Sequence, residues 1–356
     1  MLPDAESLLA GPRGRRLCLE LAMAADEEIL WAARHLSYNL DPAAGRSRAM
    51  YTLSSSKEPE PVSAAPTLAE LVSRINALDL DTVNSLVPYA LQRSVNTARY
   101  WQEPDGEDAL AATDAVAAAL AHVAAGVLES PASQWWRDGF RPGQWAIDWR
   151  SANDRAPLPR SPQQILAEWG RKERADEARA AWERPADIRA QVGGEWWSIP
   201  HGLVQTVPLI PGGLSLVEDS LGWEKATTIP VSGAGRILEI RTATDWTDLC
   251  RTYPLEVTAS RRHDWFRSTG RHGRWLIPDW EQAASEWDAV HLTVAGYLNS
   301  AGRALPVGPD TATVIAGWDP GSTIWLTDVA RESEEQPRQF WHRPDNQDEW
   351  FQIRAD

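Results

Sequence analysis

The tryptophans of this chain are crowded to one side. Of 20 in 356 residues, only Trp31 precedes position 100. An indole is large enough to need either a deep core or a surface that binds something. Two textures therefore share the chain, an alanine- and leucine-rich first part and an aromatic second part. The length suits two compact domains. The expected divisions are a helical domain over 1–130, a Trp-rich connector and helix over 131–185, an α+β functional domain over 186–330, and a polar, aromatic tail over 331–356.

The first part reads as helical. Gly11-Pro12-Arg13-Gly14 interrupts an apolar pattern as a turn signal, and Ser54–Pro61 is too polar to bury and reads as a loop. Thr67-Leu68-Ala69-Glu70 has the hydroxyl and carboxylate of a capping box. The alanine-rich run 107–129 is predicted as one helix, stopped by Ser130-Pro131. Further on, Ser161-Pro162-Gln163-Gln164 predicts a second box, opening a charged helix that ends before Pro185.

From about 186 the pattern changes to short apolar runs between turns. Strands are predicted at 214–217, 227–231, 236–240, 289–293 and 323–327. Helices are predicted at 244–252, capped by Thr244, and at 279–287 after Pro278-Asp279. The fold class expected is α+β, a helical part followed by a mixed, mainly antiparallel α+β part. The tail keeps Trp341, Trp350 and Phe351 and is expected to fold back onto the body.

A formal charge of −15 argues against general binding to nucleic acid or to an anionic membrane. No apolar run reaches membrane-spanning length, and the first residues lack the layout of a signal peptide. Cys18 and Cys250 read as buried thiols, which with the foregoing gives a cytoplasmic expectation. The seven histidines show no ligand spacing, so no metal is expected. Phosphate-loop, dinucleotide and nucleophile-elbow motifs are absent.

Four segments carry polar chemistry. Gly193–His201 joins glycines to indoles, a hydroxyl and a proline, as suits a strand turning beside a ligand. Arg261–Trp275 holds five arginines and one acid, read as an arginine-rich loop. Its guanidiniums could take an anion, or bind the chain's own carboxylates. On Trp287–Thr293 a strand would place His291 and Thr293 on one face, where a buried, hydrogen-bonded histidine is the plainer reading. Gly317–Thr323 is a turn in which Asp319 stands free or caps its own loop.

Taken in order, Gly-Gly-x-Trp-Trp-Ser-x-Pro at 193–200, Arg-Ile-Leu-Glu-Ile at 236–240 and Asp-Trp-Thr-Asp-Leu at 245–249 lead to Pro278-Asp279-Trp280. Trp287–Thr293 and Gly-Trp-Asp-Pro-Gly-Ser-Thr at 317–323 follow. The series resembles a widespread, largely uncharacterised bacterial family with a Gly-Gly-Leu-Trp-x-Ser-Pro start and a Gly-Trp-Asp-x-x-Ser-Thr finish. That family is taken as related to ADP-ribosyltransferases. The resemblance covers about 190–328 and leaves the first 185 residues outside.

The resemblance implies NAD as co-substrate and transfer of ADP-ribose to an unknown protein or nucleotide acceptor. It implies a cofactor-binding set of Trp197, Ser198, Arg261, Arg262, Thr293 and Trp318. Superfamily members carry a late glutamate, and none lies between Glu286 and Glu332 here. Asp319 then stands as the catalytic carboxylate, with His291 as its polar partner. The alternative is a non-enzymatic protein- or peptide-binding module using a Trp-rich surface.

Overall fold

The computed structural model describes residues 4–45, 65–80, 83–151, 156–219, 222–345 and 347–354; the polar stretch at 54–61 lies outside them. Its helices start where side chains satisfy the free amides of a first turn. Asp4 and Ser7 box the start of α1 (Ala5–Ala10). Pro12 opens α2 (Pro12–Ala25), and Asp26 caps α3 (Glu27–Tyr38). Thr67 and Glu70 form the expected box on α4 (Leu68–Asn76), which is followed by α5 (Val87–Asn96).

The single helix expected at 107–129 is two, α6 (Gly106–Ala111) and α7 (Asp114–Glu129). Thr113 breaks the run. Its hydroxyl donates to the Leu110 carbonyl at 2.8 Å and closes one helix, while its extended backbone starts the next. Where α1 meets α2, a Cβ on Gly14 would stand 1.8 Å from the Leu8 carbonyl oxygen, so this approach requires glycine. Buried Arg13 and Arg16 of α2 pair with Asp108, and Arg16 also with Asp105 and Glu107, which ties α2 to α6.

The second part is built around two sheets. The strands of the larger are β1 (Gly143–Asp148), β2 (Gln205–Val207), β3 (Lys225–Ser232) and β4 (Ile237–Ile240). After β5 (Pro254–Glu256) and β6 (Arg274–Pro278) it resumes with β7 (Ala289–Leu292). Beyond β8 (Leu305–Pro306) and β9 (Thr311–Thr313) come β10 (Thr323–Trp325), β11 (Arg331–Glu332), β12 (Gln339–His342) and β13 (Phe351–Ile353). The larger sheet runs β13-β12-β3-β1-β2-β10-β7-β4, with β11 also on β3; the smaller runs β5-β6-β9-β8. Pairing is antiparallel except for β4 with β7 and β6 with β9. The fold is α+β, with helices mostly early and strands mostly late.

Several local expectations need correction. The segment 214–217 is not a strand; a short helix, α9 (Gly212–Ser215), covers its start. Ser161 does not box α8 (Pro162–Glu183): it sits in the left-handed region at φ 60°, and its side chain makes no capping hydrogen bond. The helix α10 (Ala243–Thr252) is capped by Thr242 with Asp245, two residues earlier than expected. The arginine segment is no loop but mostly a helix, α11 (Thr258–Thr269), ended by Gly270 at φ 72°. The helix α12 (Trp280–Ala283) is short, and α13 (Val294–Ser300) follows β7 directly.

One buried apolar cluster unites Leu17, Leu21 and Val123 of the helical layer with Trp246, Trp280, Tyr297 and Trp318. Helix α13 packs on α1 and α2. The 131–185 segment supplies β1, a central strand, and the tail folds back as β11, β12 and β13, with Trp341 and Trp350 buried. Both cysteines are buried and free, and burial pushes both thiols up. No single helix among the described residues is long and apolar enough to cross a membrane.

Candidate functional site

The motif segments meet, but mostly as structure. Ser198 is fully buried; its hydroxyl donates to the Ala316 carbonyl at 3.1 Å and accepts the Ala316 amide at 3.0 Å. Its carbonyl accepts from the Trp280 indole at 3.0 Å. Trp197 lies over Gly317, whose positive φ of 75° and lack of a Cβ leave room for the ring. Trp318 is fully buried, edge-on to Trp246 and Trp280 at 6.0 Å. Ser198 and Trp197 thus hold the 193–200 segment against Ala316 and Gly317.

The two expected catalytic groups point into different surroundings. Among the described residues, no hydrogen bond joins Asp319 to Ser198, His291 or Thr293. His291 lies 2.9 Å from the Thr323 hydroxyl, across the β7–β10 pairing. Burial pulls its pKa down to about 4, against the opposing pull of Glu239. Asp319 accepts the Glu218 amide at 2.9 Å. Glu218 in turn accepts from the hydroxyls of Tyr100 and of Tyr297, the latter at 2.7 Å, while its other oxygen is buried without a partner. Burial, with Asp319 alongside, raises Glu218 to about 8; burial raises Asp319 to about 6. This acid–tyrosine cluster, invisible in the sequence, joins α13 to the chain before α6.

The arginines of α11 are occupied from within. Arg261 pairs with Glu173 at 2.7 Å, both side chains buried, and donates to the Trp197 carbonyl at 3.3 Å. Arg262 donates to the Arg184 and Pro185 carbonyls at 3.0 and 2.9 Å. Arg267 serves Ala190, Val192 and Trp101, and the Trp265 indole serves Trp196. The helix thus supplies donors to an irregular segment, 184–197, whose carbonyls lack a strand partner. Arg271 and Arg274 are likewise held, by carbonyls and by Glu256. Of the two readings of this segment, the internal one describes its contacts.

A cleft of about 460 Å³ gathers a different set of cations. It lies between α1 and the ends of β4 and β7. These two strands run parallel, and each passes straight into a helix, through Thr242 and Thr293, both of which line the cleft. Crevices outside the carboxyl ends of parallel strands are where open α/β sheets take ligands. Thr293, expected on the cofactor, is thus on the cleft wall, although its hydroxyl accepts the Gly296 amide and donates to the Ile240 carbonyl.

Three guanidiniums line the same cleft, Arg137, Arg241 and Arg303, with Asp4 as the acid among its walls. Arg241 is paired with Glu239. Among the described residues, Arg137 and Arg303 have no carboxylate partner; Arg303 donates to the Asn299 carbonyl at 2.8 Å, and burial lowers its pKa. Sequence reasoning missed this set because its members lie at 137, 241 and 303, in no shared motif. The threonine that follows each parallel strand was the signal available.

Among the described residues, no group of three or more His, Cys, Asp or Glu is placed to hold a metal ion. Comparison with family models, with curated proteins and with solved structures gave no match.

Proposed function

We propose that this protein binds a small phosphorylated ligand in the cleft between α1 and the ends of β4 and β7. The observation that carries the reading is the charge of that cleft. Three guanidiniums, two of them without a carboxylate, line it in a chain of net charge −15. A half-buried guanidinium without an acid is costly unless an anion completes it, and its fork matches phosphate. NAD is the ligand to try first, because the resemblance implies it. The transfer chemistry that goes with it receives less support: Asp319 is turned to the Glu218 amide and does not line the cleft.

Titration calorimetry with NAD, ADP-ribose and inorganic diphosphate is the test. At least one should bind, and Arg137→Ala should weaken it by about 10- to 100-fold, the worth of one charge-assisted hydrogen bond. Release of nicotinamide from labelled NAD would extend the reading to catalysis. Binding unchanged by Arg137→Ala would end it.

A second reading, protein or peptide binding through indoles, is favoured by Trp182, 92% exposed on α8. Most of the other late tryptophans fill the core. If Trp182 anchors a partner, Trp182→Ala should abolish a cross-link formed from position 179 in cell extract while leaving the melting temperature unchanged. A cross-link of equal yield would dismiss it.

A further inference from the structure

A second cleft, of about 570 Å³, opens where β1 outruns β2. Strand β1 pairs with β3 through Asp148 but with β2 only at Trp145 and Ala146. Among the described residues, Asp148 therefore has no strand beside it on the β2 side, and Leu203 and Val204, just before β2, line the cleft with it. Two indoles line it as well, Trp149 directly after β1 and Trp223 shortly before β3. Their ring centroids are 5.9 Å apart and their planes 20° from parallel. Trp149 also meets the buried Trp350 at 6.0 Å, and the next carbonyl, that of Arg150, accepts the Thr227 hydroxyl at 3.1 Å. Trp223 is 38% exposed. The stack is a preset aromatic wall with one accessible ring.

The charges of this cleft cancel. Among the described residues, Asp148 and Arg150 are the charged groups that line it, and they join through two hydrogen bonds, at 2.7 and 2.8 Å. A charged ligand would have to break that pair or stand beside a like charge. The contrast is with the arginine cleft, with which this one shares no lining residue. Gln205, the first residue of β2, is half-buried on the cleft wall, and among the described residues its side-chain amide has no hydrogen-bond partner. That amide can donate and accept at once.

We propose that this second cleft binds a neutral carbohydrate, independently of the anion cleft. A sugar ring has an apolar face of C–H bonds, which an indole covers, and a rim of hydroxyls that both donate and accept. It brings no charge that the Asp148–Arg150 pair would leave uncompensated. The ring stacks on Trp223, and its hydroxyls meet the Gln205 amide and the outer atoms of the ion pair. An aromatic wall with a few polar groups is the usual make-up of a small-ligand site, and the volume falls within the usual range of about 300–1,000 Å³.

The test is calorimetry on the full chain with cellotetraose, maltotetraose and chitotetraose as probes. At least one should bind with a Kd below about 1 mM. Trp223→Ala should weaken that binding by about 10-fold or more, through loss of the stacked ring. Gln205→Leu, near in volume, should weaken it by about 3- to 10-fold, through loss of the amide. Trp31→Ala removes an exposed indole elsewhere, on α3, and should leave the affinity unchanged. Failure of all three sugars to bind overturns the proposal, as does binding that neither cleft variant weakens. Tighter binding of adenosine or of an oligoproline peptide also overturns it, and assigns the cleft to a nucleoside or to a peptide.

Discussion

Replacing Arg261 by methionine is expected to destabilise the fold by about 3–5 kcal/mol. Each side chain of the Arg261–Glu173 pair is 1% exposed, so neither charge has water to fall back on. Burial already pushes the Glu173 carboxyl above its usual range even with the guanidinium beside it. Without Arg261 that carboxyl must stay buried alone or take up a proton, and the Trp197 carbonyl loses its donor. Chemical denaturation followed by fluorescence measures the loss. The paired substitution Arg261→Met with Glu173→Leu should recover most of it, since an apolar pair of similar volume is often neutral in place of a buried ion pair. A single variant within about 0.5 kcal/mol of the parent, the range of ordinary surface changes, would show that α11 does not clamp this region through its arginine.

Stability should also fall on the alkaline side through the Glu218–Asp319 cluster. Folding raises both carboxyls above their ordinary values of 4.5 and 3.8, so the folded chain holds their protons more tightly than the unfolded one. Their contribution is therefore complete below those ordinary values. It is lost as the pH rises through about 6 for Asp319 and about 8 for Glu218. At about 1.4 kcal/mol per unit of pKa, the loss from Glu218 between pH 5 and pH 9 is on the order of 2–4 kcal/mol. Glu218→Gln still accepts from Tyr100 and Tyr297 but carries no charge. Its melting temperature should match the parent near pH 5 and exceed it near pH 9, the range set by that titration. Parallel pH profiles for the two proteins would refute the account. His291 has the opposite sign: its depressed pKa gives stability that is full above 6.5 and lost as the pH falls through about 4.

The elements were legible where one local cause decided them. The Thr67–Glu70 box, the helix ending before Pro185, and the strands at 227–231, 236–240 and 289–293 followed from a cap, a proline and short apolar runs between turns. The failures share a physical origin. Five arginines could be counted in 261–274, but their partners are backbone carbonyls and acids elsewhere in the chain, as with Arg262 and the Pro185 carbonyl. Charge density predicted a ligand where the fold had already supplied acceptors. The cleft shows the converse. Arg137 ends a 3-10 turn, Arg241 follows a strand and Arg303 a helix, and the three line one cleft only in the folded chain. Ser198, His291, Thr293 and Asp319 were candidate site residues. Each instead closes a local hydrogen bond, which is the usual fate of a buried polar group.

The order of strands in the larger sheet bears on how the chain is made. Strand β3 takes β1 on one side and β12 on the other, with Trp341 opposite Ala226 and Phe340 opposite Thr227. During synthesis β1, β2 and β3 can pair as soon as Ser232 has left the ribosome, yet the far edge of β3 from Lys225 to Thr228 stays bare until residues 339–342 follow. A translation product that stops short of them leaves the backbone of Lys225 to Thr228 as an unpaired strand edge, open to pairing with another copy. In the folded chain β12 covers that edge, and β13 in turn pairs with β12.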